Sequence, residues 1–456
     1  MRDHIVLLLA SIAAATATLE VVNQWSFLQF DFPPDPVLLE KFQPENTVPT
    51  GLEIGWDRLY LGIPRLRAGV PATLAWIPRS LPPGVSPVLQ AYPDWSWHTA
   101  GREEINCTGL ISVYRIRADR CNRLWVLDAG VVTSIDDFRR VCPPKILIFD
   151  MNTDRLVRSV YFPRELLRPA SLLTNLVLDD TRTSSSRLSS TCDHLFAYIS
   201  DTVAPGIIVY DGRRDNAWRV THASMYPDPD LGEYDIGGEK FTLMDGVVGL
   251  THSPAQGLLY FQPLATDRIF SVSTAVLASG PPAEGTSLPV NLVGRKSSQG
   301  LGIAVDPRDD TIIFSPMTET AIAAWNPITN AHKYLHVFIF LCDVRSFKNR
   351  GSSMTRVMKV KEASEMCTKL ALWHSVPIML AQDPEKLQFC AEVRWAERDN
   401  GAVWALSTRF HKYFLRTVSK NEVCLYIIKQ NIKIFSLPTP QGIWREAMYV
   451  SVYVFV

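Results

Sequence analysis

Along Ser112 to Val132, SVYRIRADRCNRLWVLDAGVV, apolar and polar positions first alternate and then separate. Val113, Arg115 and Arg117 alternate with Tyr114, Ile116 and Ala118. A polar turn follows from Asp119 to Arg123, and then an apolar run from Leu124 to Leu127. A period of two, a tight polar turn and a run of β-branched and aromatic residues predict strand, turn, strand. The unit recurs as GLEIGWDRLYLGIP around Tyr60, TCDHLFAYISD around Phe196, VVGLTHSPAQGLLYFQP around Leu259, GIAVDPRDDTIIFSP around Ile313 and AEVRWAERDNGAVWALS around Trp404. Six second strands therefore fall near 60, 125, 196, 259, 313 and 404, spaced by 65, 71, 63, 54 and 91 residues. Several units carry a third short strand with an acidic or amide end: ILIFD to Asp150, IIVYD to Asp211 and AIAAWN to Asn326. A sheet of three or four strands cannot bury both faces alone, and radial stacking of six such sheets predicts an all-β fold, a six-bladed β-propeller. A pair of β-sandwiches is the alternative, and it predicts shorter, more even spacing without six related units.

Composition suits a soluble globular protein: 47% hydrophobic, 20% charged, with 31 prolines to punctuate loops in 456 residues. Lys plus Arg equals Asp plus Glu at 46 each, so no bulk field draws the chain to nucleic acid or to an anionic membrane. No basic stripe with interleaved aromatics occurs in the repeats, and nucleic acid is not an expected partner. At the start, Arg2 precedes a largely apolar run from Ile5 to Ala17 that ends in the small-x-small pattern Ala15-Thr16-Ala17. That is the pattern of a cleaved signal peptide over residues 1–17, and the run is too short to anchor the chain in a bilayer. A secreted chain beginning near Thr18 is expected.

In an oxidising compartment Cys107, Cys121, Cys142 and Cys192 are disulfide candidates, with three complete pairings open. Asn106-Cys107-Thr108 is a glycosylation sequon, making Asn106 a candidate for modification. No C-x-x-C, H-x-H or H-E-x-x-H occurs, so no metal site is expected, and the absence of a P-loop, G-x-G-x-x-G or G-x-S-x-G implies no cofactor and no nucleophile elbow. PDPDLGEYD, Pro227 to Asp235, gathers carboxylates around Gly232, but Pro229 breaks the spacing of a calcium loop, and a solvated turn is expected. Trp125, Trp325 and Trp404 lie within strand patterns and are expected in the blade cores.

Eight ordered segments carry a resemblance. YLGIPRLRAGVPATLAWIP (Tyr60 to Pro78), LQAYPDW (Leu89 to Trp95), RADRCNRLWVLDAGV (Arg117 to Val131), CPPKILIFD (Cys142 to Asp150), AYISDTVAPGIIVYD, MDGVVGLTHSP, AAWNP and LQFCAEVRWAERDNGAVWALSTRF resemble the yellow and major royal jelly protein family of insects. The likeness runs from about Trp25 to Val423 and implies a secreted six-bladed propeller with a small-molecule site near its central channel. Within that family are proteins that hold aromatic biogenic amines, others linked to cuticle pigmentation, and others resembling dopachrome-converting tautomerases. The implied partner is a small aromatic amine or catechol-derived ligand. Leu406-Ser407-Thr408-Arg409-Phe410 matches the family's LS-Asn/Thr-Arg-Phe segment, which implies a ligand hydroxyl contact from Thr408 and a ring face from Phe410. Asp245, at the start of the fourth inner strand, and Gln299, just before the fifth, are further candidates, because inner strands line the channel and Asp245 suits an ammonium. A storage role draws no support from the composition, which shows no amino-acid bias.

Two stretches depart from the family pattern. Lys333 to Met379 has no blade pattern and carries eight basic residues against three acidic; without its 47 residues the spacing of 91 becomes 44. The tail, residues 424–456, also loses the pattern, so the propeller is expected over 18–423. Both stretches are expected to be retained intron or gene-model error, the alternative being a true insertion with a divergent tail. Sequencing of spliced transcripts should show the codons of His332 and Leu380 joined; transcripts that keep the 47 intervening codons would establish the insertion.

Overall fold

Each repeat folds as an antiparallel sheet, and six four-stranded sheets stand around one channel. The computed structural model describes residues 19–181, 192–328 and 378–430; the expected signal peptide, nearly all of the expected insert and the tail beyond Gln430 lie outside the described residues. The inner strands are Gly51–Ile54, Val113–Ala118, Leu173–Asp179, Val247–Ser253, Ile303–Asp306 and Cys390–Ala396. Each contacts the next, and the sixth contacts the first, which closes the ring. The second strands contain Tyr60, Trp125, Phe196, Leu259, Ile313 and Trp404, one from each repeat.

The middle strands read as apolar runs because both of their faces are covered. In Lys145–Asp150, Leu147 and Phe149 pack with Tyr60 and Leu74 of the first blade, whereas Ile146 and Ile148 pack with Ile199, Ile208 and Tyr210 of the third. Burying each such side chain contributes about 1.5–3 kcal/mol, so every blade depends on two neighbours. The outermost strand of the same blade, Arg155–Tyr161, has no sheet beyond it and is largely exposed.

Two boundaries differ from the sequence expectation. Leu425–Gln430, within the supposed atypical tail, is the third strand of the sixth blade, and its outer partner is the first strand of the chain, Glu20–Trp25. Glu20 pairs with Lys429 and Trp25 with Leu425, so the two ends of the propeller are laced together. The blade thus extends past Val423, since without this strand Ala402–Ser407 would be left as an unpaired edge. Likewise Ile378–Gln382, which begins inside the supposed insert, is the outer strand of the fifth blade.

The disulfides are Cys107–Cys142 and Cys121–Cys192. The second joins the inner turn of the second blade to the loop ahead of Phe196 in the third, closing 71 residues of chain. Cys390 and Cys424 are buried thiols.

The channel is not an open pore. Glu392, from the sixth inner strand, is buried between Arg115 and Arg117 of the second, each 2.7 Å away, and accepts a 2.7 Å hydrogen bond from the Leu52 N–H of the first. Arg394 pairs with Glu53 at 2.9 Å, and Arg117 reaches Asn175 of the third blade at 3.2 Å. Burial would push the Glu392 carboxyl up, but Arg115, Arg117, Arg394 and the Leu52 N–H together outweigh it and hold the group below the ordinary 4.5. A carboxylate whose folded value is depressed adds stability above its unfolded value, and that stability is lost as pH falls through the folded one. Glu392→Ala leaves two buried guanidiniums unpaired and is expected to cost about 3–5 kcal/mol in urea denaturation at pH 7; an unchanged midpoint would show that the cluster is not structural.

Candidate functional site at the leading mouth

The buried ion cluster fills the channel between its two mouths. At the leading mouth, where the inner strands begin, the connection between the third and fourth blades folds back as a hairpin, Glu233–Ile236 with Glu239–Thr242. Its turn is Gly237-Gly238, with φ of 62° and 88°, the left-handed pair that a two-residue hairpin loop requires. Tyr234 and Phe241 face each other across it with stacked rings 4.8 Å apart. Phe241 lies 6.4 Å from Phe389, and Phe389 lies 4.9 Å from Phe410, so the rings form one continuous wall. Behind this wall His411 is wholly buried; burial first, then Lys412 and Arg409, push its imidazole down to about 4, which leaves it neutral at physiological pH.

The turn that carries Phe410 is fixed by backbone contacts. Phe389 and Arg409 both adopt left-handed conformations, φ 50° and 43°, each costing about 1–2 kcal/mol for a residue with a side chain. They are held by hydrogen bonds from Thr408 N–H to Phe389 O, 3.2 Å, and from Arg409 N–H to Gln388 O, 3.3 Å. Arg409 is further tied to Glu422 at 2.8 Å. Such over-determined strain is a mark of positions where side-chain placement matters.

Asp245, just ahead of the fourth inner strand, lies near Tyr234 and Tyr114. Its carboxylate is half-buried and, among the described residues, receives no hydrogen bond or ion pair. Burial raises it to about 6. Tyr114 and Tyr234 are close enough for its charge to raise their phenols further above a range already raised by burial. Tyr234 has no partner for its hydroxyl among the described residues, whereas Tyr114 shares a 2.6 Å hydrogen bond with Ser134. A carboxylate beside phenol rings can pair with a cation that also presents an aromatic surface.

The major royal jelly protein model matches residues 111–365, more than half of the chain. The chain belongs to the major royal jelly protein family. It is 30% identical over 334 residues to a dopaminechrome tautomerase of Drosophila melanogaster, covering 69% of each chain. It is 31% identical over 337 residues to protein yellow of Drosophila erecta, covering 71% of this chain and 60% of that one. Among solved structures, a virginiamycin B lyase from Staphylococcus aureus is similar at 10% identity over 63% of this chain and 69% of that one, with a TM-score of 0.34, too slight to bear on fold or function.

In this royal jelly family propeller the four residues read from the sequence all belong to the leading mouth, but in different capacities. Thr408 is fully buried, and its hydroxyl has no partner among the described residues. Phe410 begins the short helix Phe410–Leu415 and is 8% exposed, its ring in the aromatic wall. Gln299 is committed elsewhere: its amide donates to Leu231 O at 3.0 Å and Glu233 O at 2.8 Å, anchoring the hairpin. Asn106 is exposed, and its side-chain oxygen accepts from Thr108 N–H and Oγ1.

The sequence reading missed Tyr234 and Phe241. PDPDLGEYD is indeed a short turn, Pro229–Leu231, but it opens the hairpin; the alternation EYDI–GG–EKFT was the available signal. Asp245 generates a prediction of its own. A carboxyl whose folded value is raised binds its proton more tightly when folded, so its charged form costs stability above pH 6. Asp245→Asn should therefore raise the melting temperature at pH 7.5, with the gain shrinking toward pH 4.5; a melting temperature lowered at both pH values would mean that the carboxylate is a structural partner.

Proposed function

We propose that this chain is a secreted, yellow-like protein of pigment or cuticle chemistry that holds a small aromatic amine, of the biogenic amine or catecholamine-derived kind, in the leading mouth. The carrying observation is the Asp245 carboxylate, unpaired among the described residues, beside Tyr234 of a wall that continues through Phe241, Phe389 and Phe410. The ammonium pairs with Asp245, a charge-assisted contact of about 1–3 kcal/mol when shielded from water. The catechol or indole ring packs on the wall, and a ring substituent takes the Thr408 hydroxyl, which is buried without a partner among the described residues. Two disulfides support an oxidising compartment, and among the described residues no helix is long and apolar enough to cross a membrane.

A second reading is supported by the relative named dopaminechrome tautomerase and by Asp245 itself. Tautomerisation moves a proton from ring carbon to carbonyl oxygen without net gain or loss of atoms. A carboxylate at about 6 is matched to accept a proton near neutrality. Lys296, on the loop ahead of the fifth inner strand, is buried, and burial pushes its amine down to about 7 despite Asp267 and Glu319, so a second group there can exchange protons in the same range.

Calorimetry with dopamine tests the first reading. Binding is expected to weaken at least about tenfold in Asp245→Asn, the equivalent of about 1.4 kcal/mol, and to fall in wild type as pH drops through 6. Phe410→Ala should also lose affinity while folding normally. Lost stability with affinity retained in the folded fraction would place the site elsewhere. Disappearance of dopaminechrome absorbance beyond the spontaneous rate, abolished by Asp245→Asn, would decide for the enzyme.

A further inference from the structure

The leading mouth is closed over its ring wall. Thr408 is wholly buried, and Tyr234, Phe241, Phe389 and Phe410 are each no more than 8% exposed. A molecule with an aromatic ring cannot reach them in this arrangement, so some part of the mouth has to move. The hairpin Glu233–Ile236 with Glu239–Thr242 is the piece that covers them. It runs into the fourth blade through Leu243, Met244 and Asp245, and it crosses Gln299 of the fifth. Its rings rest on the sixth, with Phe241 6.4 Å from Phe389 and 5.8 Å from Phe414. Tyr234, Ile236 and Phe241 are buried, whereas Glu233, Asp235, Lys240 and Thr242 on the other face are exposed.

The two ends of the hairpin are held differently. Its base is fixed by backbone contacts: the Gln299 amide donates to Leu231 O and Glu233 O, and Leu243 N–H donates to Gly232 O at 3.0 Å. Near the turn the polar hold is Glu239, which lies 3.4 Å from Lys412 and 3.7 Å from the neutral His411. Lys412 does not depend on this contact. The same ammonium lies 2.9 Å from both oxygens of Glu422, which also pairs with Arg409 at 2.8 Å. Releasing Glu239 therefore strands no charge on the sixth blade, and the Glu239 carboxylate passes into water. What remains is ring packing, and a two-stranded ribbon has little stability of its own. Moving Phe389 or Phe410 instead would break the turn that Thr408 N–H and Arg409 N–H fix.

We propose that this hairpin is a lid, hinged at Gln299 and latched at Glu239, which swings off the leading mouth before a ligand enters or leaves. What passes beneath it rests on the amine reading; that it opens does not, and the two are tested apart.

Amide hydrogen exchange of the full secreted chain, followed by mass spectrometry, reads the opening without any ligand. The cross-strand amides of the hairpin should exchange at least about 100-fold faster than those of the inner strands, whose release requires the ring to open. Glu239→Gln should speed the hairpin about two- to fivefold, as for loss of a partly exposed ion pair, and leave the inner strands unchanged. In stopped-flow mixing with dopamine, the same variant should raise association and dissociation rates together, with little change in affinity, because Glu239 touches the latch and not the ligand. Bridging Glu239→Cys to Lys412→Cys with a short bismaleimide before mixing should block entry. Hairpin amides as slow as the inner strands overturn the lid, as do exchange indifferent to Glu239→Gln and dopamine entry at the wild-type rate past a bridged hairpin. A wild-type chain that binds no dopamine removes the amine reading, and the exchange result still decides the lid.

Discussion

The structure turns on one buried carboxylate. Glu392 is brought by the sixth blade, its two guanidinium partners by the second, and the backbone N–H it accepts from by the first. Taking these ions out of water costs several kcal/mol each, and their mutual attraction offsets that only while all are in register. The requirement falls on the seam of the ring, where the last blade meets the first. Closure through Glu20–Trp25 and Leu425–Gln430 and the central ion cluster therefore serve the same end, since loss of the seam would hydrate the cluster and misplace its arginines.

Filling the axis with ions has a second consequence: it separates the two mouths of the channel. Burial lowers the Arg117 guanidinium to about 9, with repulsion from Arg394 adding to it and Glu392 opposing. A propeller with an apolar plug would separate its mouths sterically but not electrically. Here the plug is made of ions, and Arg117 and Arg394 reach from it into the lining of the trailing cavity. The leading mouth instead carries the ring wall and the Asp245 carboxylate, with a hairpin that Gln299 holds in place.

The leading mouth also shows how a site is built at the cost of stability. Asp245 sits charged in a place that favours its neutral form, and Phe389 and Arg409 occupy strained backbone conformations. Blades packed on both faces provide the surplus stability that tolerates this. Loops at the channel ends can thus vary in chemistry while the blades stay the same, which suits a family whose relatives include both a dopaminechrome tautomerase and yellow proteins.

Blade number, strand order and the apolar middle strands were legible in the sequence because they depend on local alternation: Tyr60, Trp125, Phe196, Leu259, Ile313 and Trp404 each mark a second strand. The same alternation put Asp245 and Gln299 at the leading ends of inner strands, and therefore at one mouth, whereas Thr408 and Phe410 were legible only through the family's LS-Asn/Thr-Arg-Phe segment. What tertiary structure alone decided involves partners far apart in the chain. The pairing of Cys121 with Cys192 rather than with Cys107 or Cys142 follows from two turns on adjacent blades meeting on one face. Gln299 became an anchor because the hairpin lies across it, and the last blade reached past Val423 because its outer strand comes from residue 20 onward. Arg115 and Arg117 read as a polar row in a half-exposed strand, yet they are buried, since the carboxylate that admits them to the interior lies 277 and 275 residues further along the chain. No local pattern encodes that distance; only closing the ring brings the charges together.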